Sequence, residues 1–264
     1  MTSMFLVGTI SWVFEVLMLF GFLYECRDTT TKRGYILKGG TSLNTIVYAV
    51  ALIVLFSRQN QVPPSRNGLL FAVGLFFAFL GDMGLATMQR SHGGSSKAIF
   101  TKLSSEKVTI QTLTAGVVGV LFTFSFFFQI VAFLKGIHGD VQEFLVPFFL
   151  FFLLPMVLGG IAVLLARYPV PDVSTNIFII ALVFSLLTCA LFASASVYAF
   201  WMYSQDPNHA IFVFTAVLLF ACSVLLLAVR YTKPDQFDTK SIRFFSRLLN
   251  YVSRMMFAGC AFLF

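Results

Sequence analysis

The sequence has few charged side chains, since Asp, Glu, Lys and Arg together make up 11% of its 264 residues. A soluble domain carries about 25%. With 58% hydrophobic residues and a mean hydropathy of +0.89, the chain lacks the polar residues that would cover a soluble core. These values exclude an ordinary soluble protein and predict an integral membrane protein.

Cysteine and histidine are also scarce. The chain has 4 cysteines and 3 histidines, with no paired spacing that would supply four ligands to a zinc ion. Cys189, Cys222 and Cys260 lie inside apolar runs, which excludes a secreted disulfide scaffold. We expect no metal and no cofactor. A net charge of +7 would suggest a nucleic-acid partner for a soluble protein. In a membrane protein it reflects topology, so no nucleic acid is expected.

Long apolar runs dominate the sequence. A helix needs about 20 mostly apolar residues to cross a bilayer, and eight runs satisfy this length. They are Met4–Tyr24, Ile36–Phe56, Gly68–Met88, Thr112–Leu134, Phe144–Ala166, Asn176–Tyr203, His209–Arg230 and Ile242–Phe264. None shows the alternation of polar and apolar residues that is typical of a transmembrane strand. The predicted fold is all-α, a single polytopic bundle of about eight transmembrane helices over residues 1–264.

The positions of the basic residues predict the orientation of the chain. Of the 18 Lys and Arg residues, 14 flank or lie in the first, third, fifth and seventh connections between these runs. Only Arg58, Arg66 and Lys135 fall at the other connections, and Arg254 lies inside the last run. Because basic loops stay on the cytoplasmic side, the odd connections are expected to face the cytoplasm or a matrix. Both termini are then expected on the opposite side.

Four ionisable residues lie within the predicted spans: Glu15, Lys38, Asp82 and Arg254. Each costs about 2.5 to 3.5 kcal/mol to insert at the centre of a bilayer. Since arginine cannot give up its proton, we expect Arg254 to pair with Asp82 or Glu15 inside the bundle. Lys38 lies near the basic end of its span, where it can reach the interface. Two interpretations stay open: a structural ion pair that fixes helix register, and a polar cavity that binds a headgroup or performs acid–base chemistry.

Two further polar residues stand in apolar stretches. For Gln129 the expectation is an interhelical hydrogen bond, and for Ser223 a bond back to its own helix. No Ser–His–Asp set, phosphate-binding loop or glycine-rich dinucleotide motif is present in the sequence.

Several short motifs resemble those of a known family. The segment LLFAVGLFFAFLGDMGLA, with Gly81-Asp82, is similar to the small-residue run ending in Gly-Asp of the YhhN-like (lysoplasmalogenase) family of eight-span membrane proteins. LKGGTSLNTI is similar to that family's Lys-Pro-Leu-Thr motif, with Lys38 and Thr41 matching. Tyr251 matches the start of the family's last motif, and FTAVLLFACSVLLLAVRY resembles its seventh span. The resemblance covers roughly residues 36 to 264.

The departures fall on positions where the family carries polar groups. Gly39 replaces the proline, Gln129 stands in place of histidine, and Ser223 in place of Asp or Asn. Met255, beside Arg254, stands where the final motif has glutamine.

The resemblance implies two functions. The first is hydrolysis of the vinyl-ether bond of ether lysophospholipids, which needs an acid and a group that positions water. Asp82 and Glu15 would form the catalytic pair and Lys38 would hold the phosphate. The second is a divergent, non-catalytic protein that binds membrane lipids or serves as an accessory subunit with other membrane-protein subunits. The altered motif positions favour the second. The remaining candidate substrate-binding residues are Thr41, Gln129, Ser223, Tyr251 and Arg254.

Overall fold

The computed structural model describes residues 2–24, 32–91, 110–137, 141–165, 175–232 and 239–263. Within these ranges the chain forms eight α-helices, a short 3-10 turn at Ala261–Leu263 and no strands. The helices are α1 (Thr2–Tyr24), α2 (Lys32–Asn60), α3 (Arg66–Ser91), α4 (Ile110–Gly136), α5 (Val141–Leu165), α6 (Thr175–Tyr203), α7 (Pro207–Thr232) and α8 (Lys240–Cys260). Each of the predicted runs coincides with one helix to within a few residues, so the all-α prediction is confirmed.

Six of the helices are long and apolar enough to cross a membrane: α1, α2, α3, α4, α6 and α7. In α5 the segment Glu143–Val157 is apolar, and α8 differs from all the others because one of its faces is basic. Arg243, Arg247 and Arg254 recur at intervals of four and seven residues, which places them on the same face of α8. The chain is therefore a polytopic helical membrane protein whose last helix is amphipathic.

The helices pack as a ring with two peripheral members. Neighbours around the ring are α2, α3, α4, α6, α7 and α8, and α8 returns to α2. Helix α1 packs chiefly along α2, and α5 packs along α6. Much of the surface of α1 and α5 is apolar and exposed, as Phe5, Leu17, Val146 and Leu150 show. Such a surface suits contact with acyl chains.

Aromatic side chains fill the centre of the ring. Phe133 of α4 packs against Phe71 of α3, Phe257 of α8 and Tyr198 of α6, each with ring centroids 5.6 Å apart. Phe220 of α7 adds a contact with Phe257 at 6.4 Å. These edge-on and tilted contacts are the favoured arrangements of aromatic pairs. Five of the six ring helices therefore meet at one aromatic core.

Helix α2 ends in a tight turn that leads directly into α3. Gln61 adopts a left-handed backbone conformation with φ 53°, and the amide of Val62 donates to the carbonyl of Ser57 at 3.1 Å. This is the pattern of a helix C-terminus that is usually closed by glycine. The turn brings α2 and α3 side by side, which positions the polar residues described next.

Candidate functional site

Polar side chains from four helices meet on one side of the aromatic core. We call this group the polar cluster; it consists of Glu15 of α1, Lys38, Thr41, Ser42, Asn44 and Thr45 of α2, Asp82 of α3, and Tyr251 and Arg254 of α8. On α2 and α8 these residues precede the core residues Ala49 and Phe257, and on α3 Asp82 follows Phe71. The cluster therefore lies between the aromatic core and the ends of the helices where the basic connections begin.

An ion pair between Asp82 and Arg254 forms the centre of the cluster. Arg254 Nη1 donates to Asp82 Oδ2, and the side chains are only 16% and 8% exposed. Ser42 Oγ donates to the same carboxylate oxygen at 3.0 Å. The predicted pairing of Arg254 with a carboxylate in the bundle interior is present, and Asp82 is the partner. This ion pair joins α3 to α8, and Ser42 of α2 contributes the second hydrogen-bond donor to Asp82.

Tyr251 completes the surroundings of the ion pair. Its hydroxyl lies within hydrogen-bonding reach of Ser42 and Thr41, and the Arg254 guanidinium carbon lies 5.9 Å from the Tyr251 ring centroid. A cation at this distance from an aromatic face is attracted to it. Thr41 Oγ1 donates to the carbonyl of Lys38 at 2.8 Å. The cluster is therefore densely hydrogen-bonded around Asp82.

Glu15 is the second buried carboxylate, and Asn44 holds it. Asn44 Nδ2 lies 2.9 Å from Glu15 Oε2, 3.1 Å from the carbonyl of Ser11 and 3.9 Å from Met255 Sδ, so this amide joins α1, α2 and α8. Glu15 is 2% exposed, and within the described ranges its Oε1 has no hydrogen-bond partner. The charge of Arg254 acts on both carboxylates. Arg254 therefore forms its ion pair with Asp82 and acts on Glu15 only through longer-range electrostatics.

Lys38 is buried within the bundle at 7% exposure instead of extending to the surface. The charges that act on it are those of Asp82, Arg247 and Arg254. Among the described residues, Asp82 forms its salt bridge with Arg254, and no salt bridge to Lys38 is present. Lys38 is thus a buried basic residue within the electrostatic range of the Asp82–Arg254 pair.

A narrow recess opens beside Arg254. Its walls are Ser42, Thr45, Leu75, Ala78, Phe79 and Arg254. The recess is too narrow to hold a water molecule. A ligand that reached the ion pair would therefore require the surrounding helices to move apart.

Two predicted site residues lie elsewhere, and both expectations about their bonding were wrong. Gln129 Nε2 donates to Ser125 Oγ at 3.0 Å, so it bonds within α4 instead of across helices. The Gln129 side chain packs against Gly74 of α3, where a Cβ would lie only 2.8 Å from its Cγ. Ser223 bonds across helices instead of within its own: its Oγ donates to the carbonyl of Ser246 at 3.0 Å, and Ser246 Oγ donates back to the Ser223 carbonyl at 3.3 Å. Neither residue belongs to the polar cluster.

Sequence reasoning missed Ser42, Asn44 and Thr45. The signal was present, because Lys38, Thr41, Ser42 and Thr45 follow the i, i+3, i+4, i+7 spacing that places residues on one helix face. Asn44 lies outside this stripe, and only the packing of α1 explains its role. In an apolar span, uncharged polar residues that share a helix face therefore help to predict a buried polar site, as charged residues do.

Within the described ranges, no group of three or more His, Cys, Asp or Glu side chains is arranged to hold a metal ion. A comparison with protein-family models, curated proteins and solved structures gives no match to this chain.

Proposed function

We propose that this membrane protein binds the headgroup of a membrane lipid at the polar cluster and does not chemically change it, acting alone or as an accessory subunit of a membrane complex. The observation that supports this best is the largely buried Asp82–Arg254 ion pair, with the buried Lys38 within its electrostatic range. Charges at this depth are rare and usually mark a binding or transport function.

The bonding of Asp82 argues against catalysis. A general acid must carry a proton that it can donate to the substrate. Asp82 Oδ2 accepts hydrogen bonds from both Arg254 and Ser42, so it is held as an acceptor. A ground-state binding role needs neither a free proton nor a positioned water.

The second candidate is hydrolysis of the vinyl-ether bond of an ether lysophospholipid, as the resemblance to the YhhN-like family implies. Glu15 favours it, because one of its carboxylate oxygens has no hydrogen-bond partner among the described residues. Paired carboxylates in different environments are a common arrangement for acid–base chemistry. Glu15 would then act as the acid and Asp82 would position Arg254.

The lipid-binding proposal is tested on the purified chain. We expect native mass spectrometry from mild detergent to show lipid retained in stoichiometric amounts. Arg254→Met should lose most of this lipid, whereas Arg58→Met, at the exposed C-terminal end of α2, should retain it. A wild-type protein that carries no lipid, after purification under conditions that preserve its fold, would contradict the proposal. Stoichiometric co-purifying subunits would identify the accessory role.

The hydrolase alternative is tested by incubating the same preparation with lysoplasmenyl lipid and measuring the released aldehyde. The non-catalytic proposal expects no release above a protein-free blank. Release that Asp82→Asn and Glu15→Gln both abolish, and that Glu143→Gln leaves intact, would establish the enzyme instead. Glu143 is a suitable control because it is an exposed carboxylate in the first turn of α5.

A further inference from the structure

Helix α1 covers the seam at which the ring of helices closes. The ring closes where α8 meets α2, and α1 packs along α2 and also contacts α8. Leu19 of α1, which is 4% exposed, packs with Tyr251 of α8, and Leu37 of α2 packs against both of them. Leu19 therefore lies across the seam and covers a residue of the polar cluster.

Tyr251, the residue that Leu19 covers, is in contact with the centre of the cluster. Its ring centroid lies 5.9 Å from the Arg254 guanidinium carbon, and its hydroxyl lies within hydrogen-bonding reach of Ser42 and Thr41. Tyr251 is 3% exposed with α1 in place. Separation of α1 from the seam would therefore open a path from the surrounding lipid to the ion pair.

The N-terminal half of α1 is anchored to α2 by hydrogen bonds. Gln59 Nε2 donates to Ser3 Oγ at 2.5 Å, and the side chains of Trp12 and Tyr48 are hydrogen-bonded to each other. Hydrogen bonds between helices persist in lipid, because a polar group that loses its partner finds no water there. This half of α1 is therefore expected to stay on α2.

The C-terminal half of α1 is attached differently; we call its residues 15–21 the lid segment. Met18 packs against Gly40 of α2, where a Cβ would lie 3.4 Å from the Met18 Sδ, and Gly21 packs against Leu37. Together with those of Leu19, these contacts are apolar. Lipid tails are as apolar as such side chains and can replace them. The lid segment can therefore separate from α2 and α8 at a lower cost than the anchored half.

Asn44 holds the start of the lid segment. Its Nδ2 lies 2.9 Å from Glu15 Oε2 and 3.1 Å from the carbonyl of Ser11. Glu15 is the first residue of the lid segment, and Ser11 lies one turn earlier on the same face of α1. The amide of Asn44 therefore acts as a latch at the boundary between the two halves of α1.

The other helices around the cluster are tied to one another. The Asp82–Arg254 ion pair joins α3 to α8, and Ser42 of α2 donates to Asp82 at 3.0 Å. Phe71 of α3 and Phe257 of α8 also meet in the aromatic core. Helix α5, the second peripheral helix, packs along α6, which contributes nothing to the polar cluster. Movement of α1 would therefore open the cluster without breaking the ion pair or the aromatic core.

We propose, on the basis of the headgroup-binding function given above, that the lid segment is a lateral lid that separates from α2 and α8 to admit a membrane lipid to the polar cluster. The bond between Asn44 and Glu15 keeps the lid closed. Since the closed structure has only a narrow recess beside Arg254, entry of a headgroup requires such a movement.

The test bridges the lid segment to α2 and measures lipid exchange. In a full chain whose four native cysteines are replaced by serine, Met18→Cys/Gly40→Cys is bridged with ethanediyl bismethanethiosulfonate, a short linker that a thiol reductant removes. The protein, purified in mild detergent with its retained lipid, is mixed with deuterated lipid extract from the expression host. Native mass spectrometry follows the replacement of unlabelled lipid. We expect the bridge to slow exchange at least tenfold and the reductant to restore the rate.

Gly39→Cys/Met83→Cys is the matched control. It links the neighbouring glycine of α2 to a methionine of α3, and a Cβ at Gly39 would lie 3.2 Å from Met83 Sδ. Bridging this pair fixes α2 to α3 and leaves α1 free, so exchange should stay within twofold. Each variant is compared with its own unbridged form, so that an effect of the substitutions themselves cancels.

A second measurement needs no bridge. Asn44→Leu removes the latch and should speed exchange at least threefold. Asn67→Leu is the control, because it removes a hydrogen bond from α3 to the Lys135 carbonyl of α4 and should leave the rate unchanged.

Each other outcome has a definite meaning. Unchanged exchange in bridged Met18→Cys/Gly40→Cys overturns the lid and leaves headgroup binding intact. Slower exchange only in bridged Gly39→Cys/Met83→Cys also overturns it and indicates entry between α2 and α3. Equal slowing in both variants indicates that general helix motion limits exchange, which overturns the lid as well. If Asn44→Leu exchanges lipid no faster than Asn67→Leu, the latch is contradicted. A wild-type protein that retains no lipid contradicts the proposed function itself.

Discussion

Arg254 on α8 donates to the carboxylate of Asp82 on α3, across 172 positions of sequence. Asp82 is buried and Arg254 is partly buried, in a chain of which six described helices are long and apolar enough to span a membrane. The pair is therefore both a link between distant helices and the centre of the candidate binding site.

Breaking this pair from one side is expected to destabilise the bundle. Arg254→Met leaves Asp82 buried without its counter-ion, and removal of one partner of a buried pair costs about 3 kcal/mol. The double variant Asp82→Leu/Arg254→Met removes both charges and should recover most of this loss. The free energy of unfolding of purified protein, from denaturation with sodium dodecyl sulfate, gives both values. If the double variant is as unstable as Arg254→Met, then lost packing, and not the unpaired charge, causes the fall in the free energy of unfolding.

Asn44 is expected to hold α1 against the bundle. Its amide is the donor to Glu15 Oε2, so Asn44→Leu leaves a buried carboxylate with neither oxygen bonded by a described residue, at a cost of about 2 kcal/mol. The effect should be much smaller when Glu15 is already Leu, because the side chain at position 15 then offers Asn44 no acceptor. A double-mutant cycle measured by chemical unfolding checks this. Additive effects would mean that the Asn44 contact carries little energy.

Gly68 is expected to be intolerant of any side chain. A Cβ at this position would collide with the carbonyl oxygen of Ala261 in the 3-10 turn after α8. Gly68→Ala should cost about 2 kcal/mol, because backbone atoms have to move. Gly119→Ala is the control, since nothing lies within 4 Å of a Cβ built there. Thermal denaturation should show a lower midpoint for the first variant and an unchanged or higher midpoint for the second.

Ser223 and Ser246 are expected to matter for stability and not for ligand binding. Their two reciprocal hydrogen bonds join α7 to α8, and each is worth about 1 kcal/mol. Ser223→Ala should therefore lower the unfolding free energy by about this amount and leave the amount of retained lipid within twofold. Native mass spectrometry and denaturation on one preparation separate the effects. A large loss of affinity without a loss of stability would return Ser223 to the binding site.

The orientation of the chain is expected to follow its basic residues, with the odd connections on the cytoplasmic or matrix side. A single cysteine introduced at Gln61, in a variant whose four native cysteines are replaced by serine, should react with a membrane-impermeant maleimide outside sealed, right-side-out vesicles. A cysteine at Lys97 should react only after the vesicles are opened. The opposite labelling pattern would reverse the predicted topology and place Lys38 at the other face.

The sequence was sufficient to predict the helices because long apolar runs have one viable structure in a bilayer. It was also sufficient to predict the partner type of Arg254, since a buried guanidinium needs a carboxylate. It did not distinguish Asp82 from Glu15, because that choice depends on how α3 and α8 rotate against α2. The bonding of Gln129 and Ser223 was predicted the wrong way round for the same reason: a polar group bonds within or across helices according to the packing at its face.

The basic face of α8 has a consequence for biogenesis. Arg243, Arg247 and Arg254 share this face, so α8 alone would partition poorly into lipid. Asp82 lies on α3, which is synthesised well before α8, and it offers Arg254 its counter-charge only once α3 has been inserted. The last helix is therefore expected to depend on the earlier ones for its integration, and a chain that carries Asp82→Leu should expose α8 to the quality-control machinery of its membrane.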